Sequence, residues 1–147
     1  MQVTLGKKGD YSVRAVLELT RHGGLGRRKA REIATATAIP RKYVAQILAN
    51  LVQHDLLHAV AGRSGGYELA RPPEQITLLE VVDAAEGELS LRTCVLRGSA
   101  CAEGGVCAVH RYWVEAQEAL GERLAATTFA QLAARELELE ISTAPAS

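Results

Sequence analysis

At 147 residues and 15.7 kDa, with 48% hydrophobic and 23% charged residues, the chain has room for one compact domain plus a short extension. No apolar run approaches a membrane span, and the amino terminus carries lysines and an acidic residue unlike a secretion signal, so a cytoplasmic protein without a membrane partner is expected. Net charge is zero, yet residues 1–71 hold 12 Lys+Arg against 5 Asp+Glu and residues 72–147 hold 5 against 12, which directs any polyanionic partner to the first half.

Residues 9–22 carry Val13, Val16, Leu17 and Thr20 at helical spacing, with Asp10 placed to act as N-cap and Gly23-Gly24 to end the helix. A basic lead, Leu25 to Lys29, precedes a short helix over 29–37 that turns Ala30, Ile33, Ala34 and Thr37 inward. Pro40 opens a third helix to about residue 54, with Val44, Ile47, Leu48, Leu51 and Val52 on one stripe. The period then changes to that of a hairpin: strand 57–60, a Gly62-Arg63-Ser64-Gly65-Gly66 turn, and strand 67–70, stopped by Arg71-Pro72-Pro73. Thr77 and Glu80 form a capping box for a helix over 78–86.

A cysteine loop follows at 88–107. Beyond it lies a long helix over 108–125, whose Val109, Tyr112, Trp113, Ala116, Leu120 and Leu124 make an apolar seam, read as core or as a dimer surface. A last helix, 128–139, leads to a small-residue tail. The expected fold is mainly α with a small β-hairpin: a winged helix-turn-helix domain at 1–87, the loop at 88–107, dimerisation helices at 108–140 and a flexible tail at 141–147.

Three helices followed by a hairpin is the order of a winged helix-turn-helix, in which the third helix enters the major groove of DNA and the wing leans on the backbone or minor groove. The entry end of the third helix offers Arg41, Lys42, Tyr43 and Gln46. Arginine and glutamine can address base edges bidentately, whereas lysine and tyrosine reach phosphates. Arg63, between glycines at the tip of the wing, suits a narrow minor groove. Double-stranded DNA is therefore the expected partner.

All three cysteines, Cys94, Cys101 and Cys107, fall within fourteen residues, and His110 follows in a C-x6-C-x5-C-x2-H pattern. An odd count in one short loop argues against a disulfide framework. Thiolates with an imidazole form a soft donor set suited to an iron–sulfur cluster or to zinc, although the short C-x2–4-C steps of zinc knuckles are absent. Control by the thiols alone, two of them pairing under oxidant, is the cofactor-free alternative. A small thiol oxidoreductase or cluster carrier would want a C-x-x-C pair or a base beside a nucleophile, and the sequence has neither, so an enzyme is not expected.

The run from Arg28 to Ala34, the run from Ile39 to Leu48, the wing from Gly62 to Pro72 and the stretch from Ile76 to Val82 resemble the IscR/NsrR/RirA family of bacterial winged-helix repressors, over about residues 1–135. The resemblance implies a homodimer with a long helix at the interface and a palindromic operator. It also implies a [2Fe-2S] or [4Fe-4S] cluster on the three cysteines, sensing iron, cluster supply, nitric oxide or redox state. His110 is in register with one relative's fourth ligand, and Asp10 matches the position from which nitric-oxide-sensing relatives supply a carboxylate from the partner subunit.

Overall fold

A computed structural model describes residues 3–23, 26–87, 96 and 107–145. Helix α1 spans Lys7–His22, α2 Ala30–Thr37 and α3 Arg41–Gln53. Strands β1, Leu57–Val60, and β2, Gly66–Leu69, form the hairpin. A single 3-10 turn over Pro73–Gln75 leads to α4, Leu78–Glu86, and the chain ends in α5, His110–Ala125, and α6, Phe129–Thr143. The expected loop over 88–107 lies outside the described residues apart from Leu96 and Cys107.

One apolar core serves the first four helices. Ala15, Val16 and Leu19 of α1 meet Ile33 and Ala34 of α2, Val44, Ile47, Leu48 and Leu51 of α3, and Val81 and Ala84 of α4. Helical spacing marks the α3 stripe and Ile33 and Ala34 of α2, but the expected α1 stripe of Val13, Val16, Leu17 and Thr20 is corrected: α1 buries Ser12, Ala15, Val16 and Leu19, and Val13, Leu17 and Thr20 stay partly exposed. Each fully buried aliphatic side chain contributes about 1.5–3 kcal/mol. Phe129, the chain's only phenylalanine, is fully buried at the head of α6. Back-to-back helix starts hold it there. Leu78 N–H donates to the Thr127 carbonyl at 2.8 Å, and Phe129 N–H to the Ile76 carbonyl at 2.9 Å. Thr77 and Thr128 each cap their helix in a box with Glu80 and Gln131.

Helix α1 starts at Lys7 with Gly6 as its N-cap, so Asp10 lies inside the first turn rather than at the cap. The Glu86 carboxylate, at the end of α4, accepts the Gly9 N–H at 2.9 Å and takes over the satisfaction of that turn. A methyl group at Gly9 would stand 2.6 Å from Glu86 Oε1, so a side chain there would displace the carboxylate from this bond.

The hairpin pairs Leu57 with Leu69 and Val60 with Gly66, one residue earlier on its second strand than the alternation suggests. Arg28 adds a bridge to the outer side of β2, with Arg28 N–H donating to Tyr67 O at 3.0 Å and Tyr67 N–H to Arg28 O at 2.8 Å. Gly66, at φ 137°, is required by this approach: a Cβ would lie 2.6 Å from the Arg28 carbonyl oxygen.

Helix α6 runs on to Thr143, which corrects the expected end at 139 and the tail beginning at 141. The Ser142 and Thr143 hydroxyls donate to the Glu138 and Leu139 carbonyls, both at 2.9 Å, and complete the last turn. Arg21 of α1 reaches Glu136 at 3.2 Å and Glu140 at 2.7 Å, tying α6 back to the core. Helix α5 packs on α4 and has no buried residue; Val109, Tyr112 and Leu120 are 40%, 73% and 41% exposed. The seam is therefore not part of the core of this chain. No helix among the described residues is long and apolar enough to cross a membrane.

Candidate nucleic-acid interface and cysteine site

Helices α2 and α3 meet through a tight turn in which Ala38 takes a left-handed conformation, φ 55° and ψ 26°. A non-glycine residue there costs free energy and persists only where its surroundings enforce it. The buried Ile39 on one side supplies that enforcement, and on the other Arg14 of α1 donates to the Thr37 carbonyl at 3.3 Å. The turn sets the angle at which α3 leaves the domain.

At the free end of α3, Arg41, Lys42 and Gln46 are exposed while Val44, Ile47 and Leu48 point into the core. The Arg41 guanidinium has no partner among the described residues, so it is available to a ligand. Tyr43 is different. Its ring is half-buried, stacks at 5.8 Å on Tyr11, and lies 5.0 Å beneath the Lys42 ammonium. Most of that side chain serves packing, with its phenol left for any polar contact.

The wing places Arg63 in the exposed turn between Gly62, at φ 97°, and the buried Gly65. A Cβ at Gly65 would collide with the Val60 carbonyl oxygen, which explains the glycine there. Lys29 Nζ donates to the Gly62 carbonyl at 2.8 Å and Arg27 pairs with Glu68 at 3.3 Å, so the wing is fastened to the start of α2.

Reading the sequence alone overlooked α2. Arg28, Arg31 and Thr35 of the α2 segment join Arg41 of α3 in lining a concavity of about 400 Å3. Arg28 is committed to Glu18 at 3.1 Å and His22 at 3.0 Å, whereas Arg31 is exposed, and its guanidinium acts on the neighbouring Glu32 through its charge without a hydrogen bond or ion pair among the described residues. Glu32 in the same concavity is occupied by the cap: the Lys29 N–H donates to its carboxylate at 2.6 Å, and that bond holds its pKa below the ordinary range. The signal in the sequence was the density of arginine over residues 27–31, which the hydrophobic pattern of α2 masked.

Of the cysteine site, Cys107 and His110 are described, and Cys94 and Cys101 lie outside the described residues. Both described residues are partly exposed, and the His110 N–H donates to the Cys107 carbonyl at 3.1 Å, closing the turn that starts α5. Among the described residues no three Cys, His, Asp or Glu side chains gather as a metal group. The Asp10 carboxylate is held on both oxygens by Arg14, at 2.9 and 2.6 Å. His22 Nδ1 bonds to Arg28 and His54 Nδ1 to the Asn50 carbonyl at 2.9 Å, and neither histidine belongs to a group of three potential ligands among the described residues.

Comparison with known proteins places this geometry. The model of the Rrf2 family, described as an iron-dependent transcriptional regulator, matches residues 5–135. The regulator IscR of Sodalis glossinidius is 31% identical over 137 residues, 93% of this chain and 82% of that protein. Among solved structures, CymR, the global cysteine regulator of B. subtilis, superposes with a TM-score of 0.77 at 25% identity, covering 91% of this chain and 98% of that one. T. potens IscR shares the fold with the same TM-score at 24% identity, covering 100% and 96%. A winged helix-turn-helix with an exposed cationic third helix, matched along nearly its whole length by transcriptional regulators, belongs to the Rrf2 family of helix-turn-helix transcriptional regulators.

Proposed function

We propose that the chain is a homodimeric, cytoplasmic repressor that binds a palindromic operator and whose grip on DNA is set by an iron–sulfur cluster, [2Fe-2S] or [4Fe-4S], held in the three-cysteine loop. The observation that carries the DNA half of this proposal is the unpaired cationic surface of α2 and α3, with Arg41 and Arg31 free and Gln46 beside them. Arg41 and Gln46 read base edges, Lys42 and the Tyr43 phenol meet phosphates, and Arg63 enters the minor groove. The exposed apolar side chains of α5 and α6, among them Tyr112, Leu120, Leu137 and Ile141, support pairing of two copies, which sets two reading helices one turn of DNA apart.

The donor chemistry fits a cluster: Cys94, Cys101 and Cys107 supply thiolates, and His110 at the start of α5 is the proposed fourth ligand, with the partner subunit's Asp10 as the alternative. A carboxylate clamped by Arg14 must first leave that arginine, which favours His110. When bound, the cluster supplies redox and ligand-exchange chemistry that a sensor can use. The protein's own part is mechanical. Helix α5 starts at the site and packs on α4, whose Glu86 is latched to α1, and α1 holds the α2–α3 turn through Arg14. CymR, whose oxidised form from Staphylococcus aureus is a structural neighbour at 25% identity, favours a second reading in which the thiols act without a cluster.

Anaerobic purification with an absorption spectrum and iron, sulfide and zinc assays tests the cluster reading. Coloured protein that loses its colour on alanine substitution of Cys94, Cys101 or Cys107, with the winged helix still folded, is the expected result. Colourless protein that cannot be reconstituted with iron and sulfide would overturn it, and stoichiometric zinc would assign the loop to zinc instead. DNA binding is tested separately, by titrating duplex DNA over a salt series.

A further inference from the structure

A pocket of about 260 Å3 lies where α1, α3 and α4 meet, behind the reading end of α3. Lys8 and Ser12 line it from α1, one turn apart, Gln46, Asn50 and Gln53 from successive turns of α3, and Ala85 from α4. Two of its polar atoms are buried without a hydrogen-bond partner among the described residues: the Ser12 Oγ, on a fully buried residue, and the Asn50 Oδ1. An orphaned polar atom in a protein interior is costly, and it marks a place where a water or a ligand completes the bond. Gln46, Gln53 and Lys8 also have no side-chain partner among the described residues. Among the described residues Lys8 is the only charged one that lines the pocket; the Glu86 carboxylate, next along α4, is occupied by the Gly9 N–H.

From these residues we infer that the pocket is an effector site for a small hydroxy- or amino-carboxylate. Lys8 and the Ser12 hydroxyl take the carboxylate. The Asn50 Oδ1 accepts from the ligand's hydroxyl or ammonium, and the glutamine amides close over it. At about 30 Å3 per water-sized group, the volume suits about eight or nine non-hydrogen atoms. None of the described residues that line the site belongs to the cysteine loop. Its effect on DNA rests on the proposed role of Gln46: an amide engaged by the ligand is withdrawn from the base it reads, so the ligand weakens operator binding.

The test uses the full-length protein labelled with nitrogen-15 and titrated separately with L-threonine and L-malate, with glycerol as the neutral control. The side-chain amide signals of Gln46, Asn50 and Gln53 should shift saturably with at least one carboxylate at millimolar concentration and not with glycerol. Lys8→Gln should weaken the binding about tenfold. Ser12→Ala should abolish it while leaving the melting temperature of the free protein unchanged or higher, because it removes the orphaned hydroxyl. Absence of saturable shifts with both carboxylates would overturn the proposal, as would equal shifts with glycerol, undiminished binding by both variants, or a lower melting temperature for Ser12→Ala. A ligand that binds but leaves operator affinity unchanged would keep the site and remove Gln46 from base reading.

Discussion

Arg41 and Arg31, on the surface proposed to face DNA, should fail in different ways when removed. Arg41 begins α3 and Arg31 sits on α2; both are exposed, and neither guanidinium makes a hydrogen bond or ion pair among the described residues. Alanine at either position should therefore change folding stability by no more than about 0.5 kcal/mol. In a dimer on a palindrome each substitution acts twice. If Arg41 reads a base, its loss costs about 1–3 kcal/mol per half-site, or about 2–6 kcal/mol per dimer, a factor between about thirty and about twenty thousand in affinity. Discrimination should relax at one base position in each half-site. If Arg31 meets a phosphate, its loss lowers affinity uniformly across sequences and reduces the slope of log affinity against log salt by about 1.8 per dimer, since each phosphate contributes about 0.9. Fluorescence anisotropy on duplexes enriched by in vitro selection with the wild-type protein, measured over a salt series, separates the two. An Arg41→Ala protein with wild-type affinity and base preference would refute the placement of α3 in the groove. A change in salt slope alone would move Arg41 from base to backbone.

Further outcomes follow from the same contacts. Leu120→Glu, on the exposed face of α5, should yield monomers by light scattering that bind operator weakly; a wild-type protein already monomeric at micromolar concentration would exclude the seam as an interface. Gly66→Ala should destabilise the domain by about 1–3 kcal/mol, because it combines a positive φ with a collision at the Arg28 carbonyl; a melting curve like that of wild type would show that the wing relaxes. Thr77→Ala should cost about 1 kcal/mol in chemical unfolding by removing the cap that accepts the Glu80 N–H at 3.2 Å. Glu80 adds a pH dependence. Burial pushes its carboxyl up, but the Thr77 N–H, Arg71 and the Thr77 hydroxyl together hold it below the ordinary 4.5. Its contribution is therefore fully present above about pH 4.5 and is lost as pH falls through the lower folded value, so Glu80→Gln should flatten the acid limb of the stability profile.

The winged-helix order was legible in the chain because each element announces itself locally. The apolar stripes of α1 and α3 repeat at helical spacing, the hairpin turns on glycines, and Thr77 with Glu80 states a cap before the helix begins. Those signals are short-range; the α3 stripe they mark is buried apart from a partly exposed Val52, whereas α1 buries Ser12, Ala15 and Leu19 beside Val16 in place of Val13, Leu17 and Thr20. Most of what local pattern left undecided depends on residues far apart in sequence. The start of α1 was misjudged because Glu86, 77 residues away, caps it in place of Asp10. The end of α6 was set too early because Ser142 and Thr143 bond backward to their own helix, where composition alone suggests a tail. The contribution of α2 to the cationic surface, the packing of Tyr43 on Tyr11, and the meeting of Ser12 with Asn50 across two helices are likewise products of tertiary structure. Sequence spacing determines which face of a helix is apolar, but only packing determines which polar groups end up opposite one another and which are left without a partner.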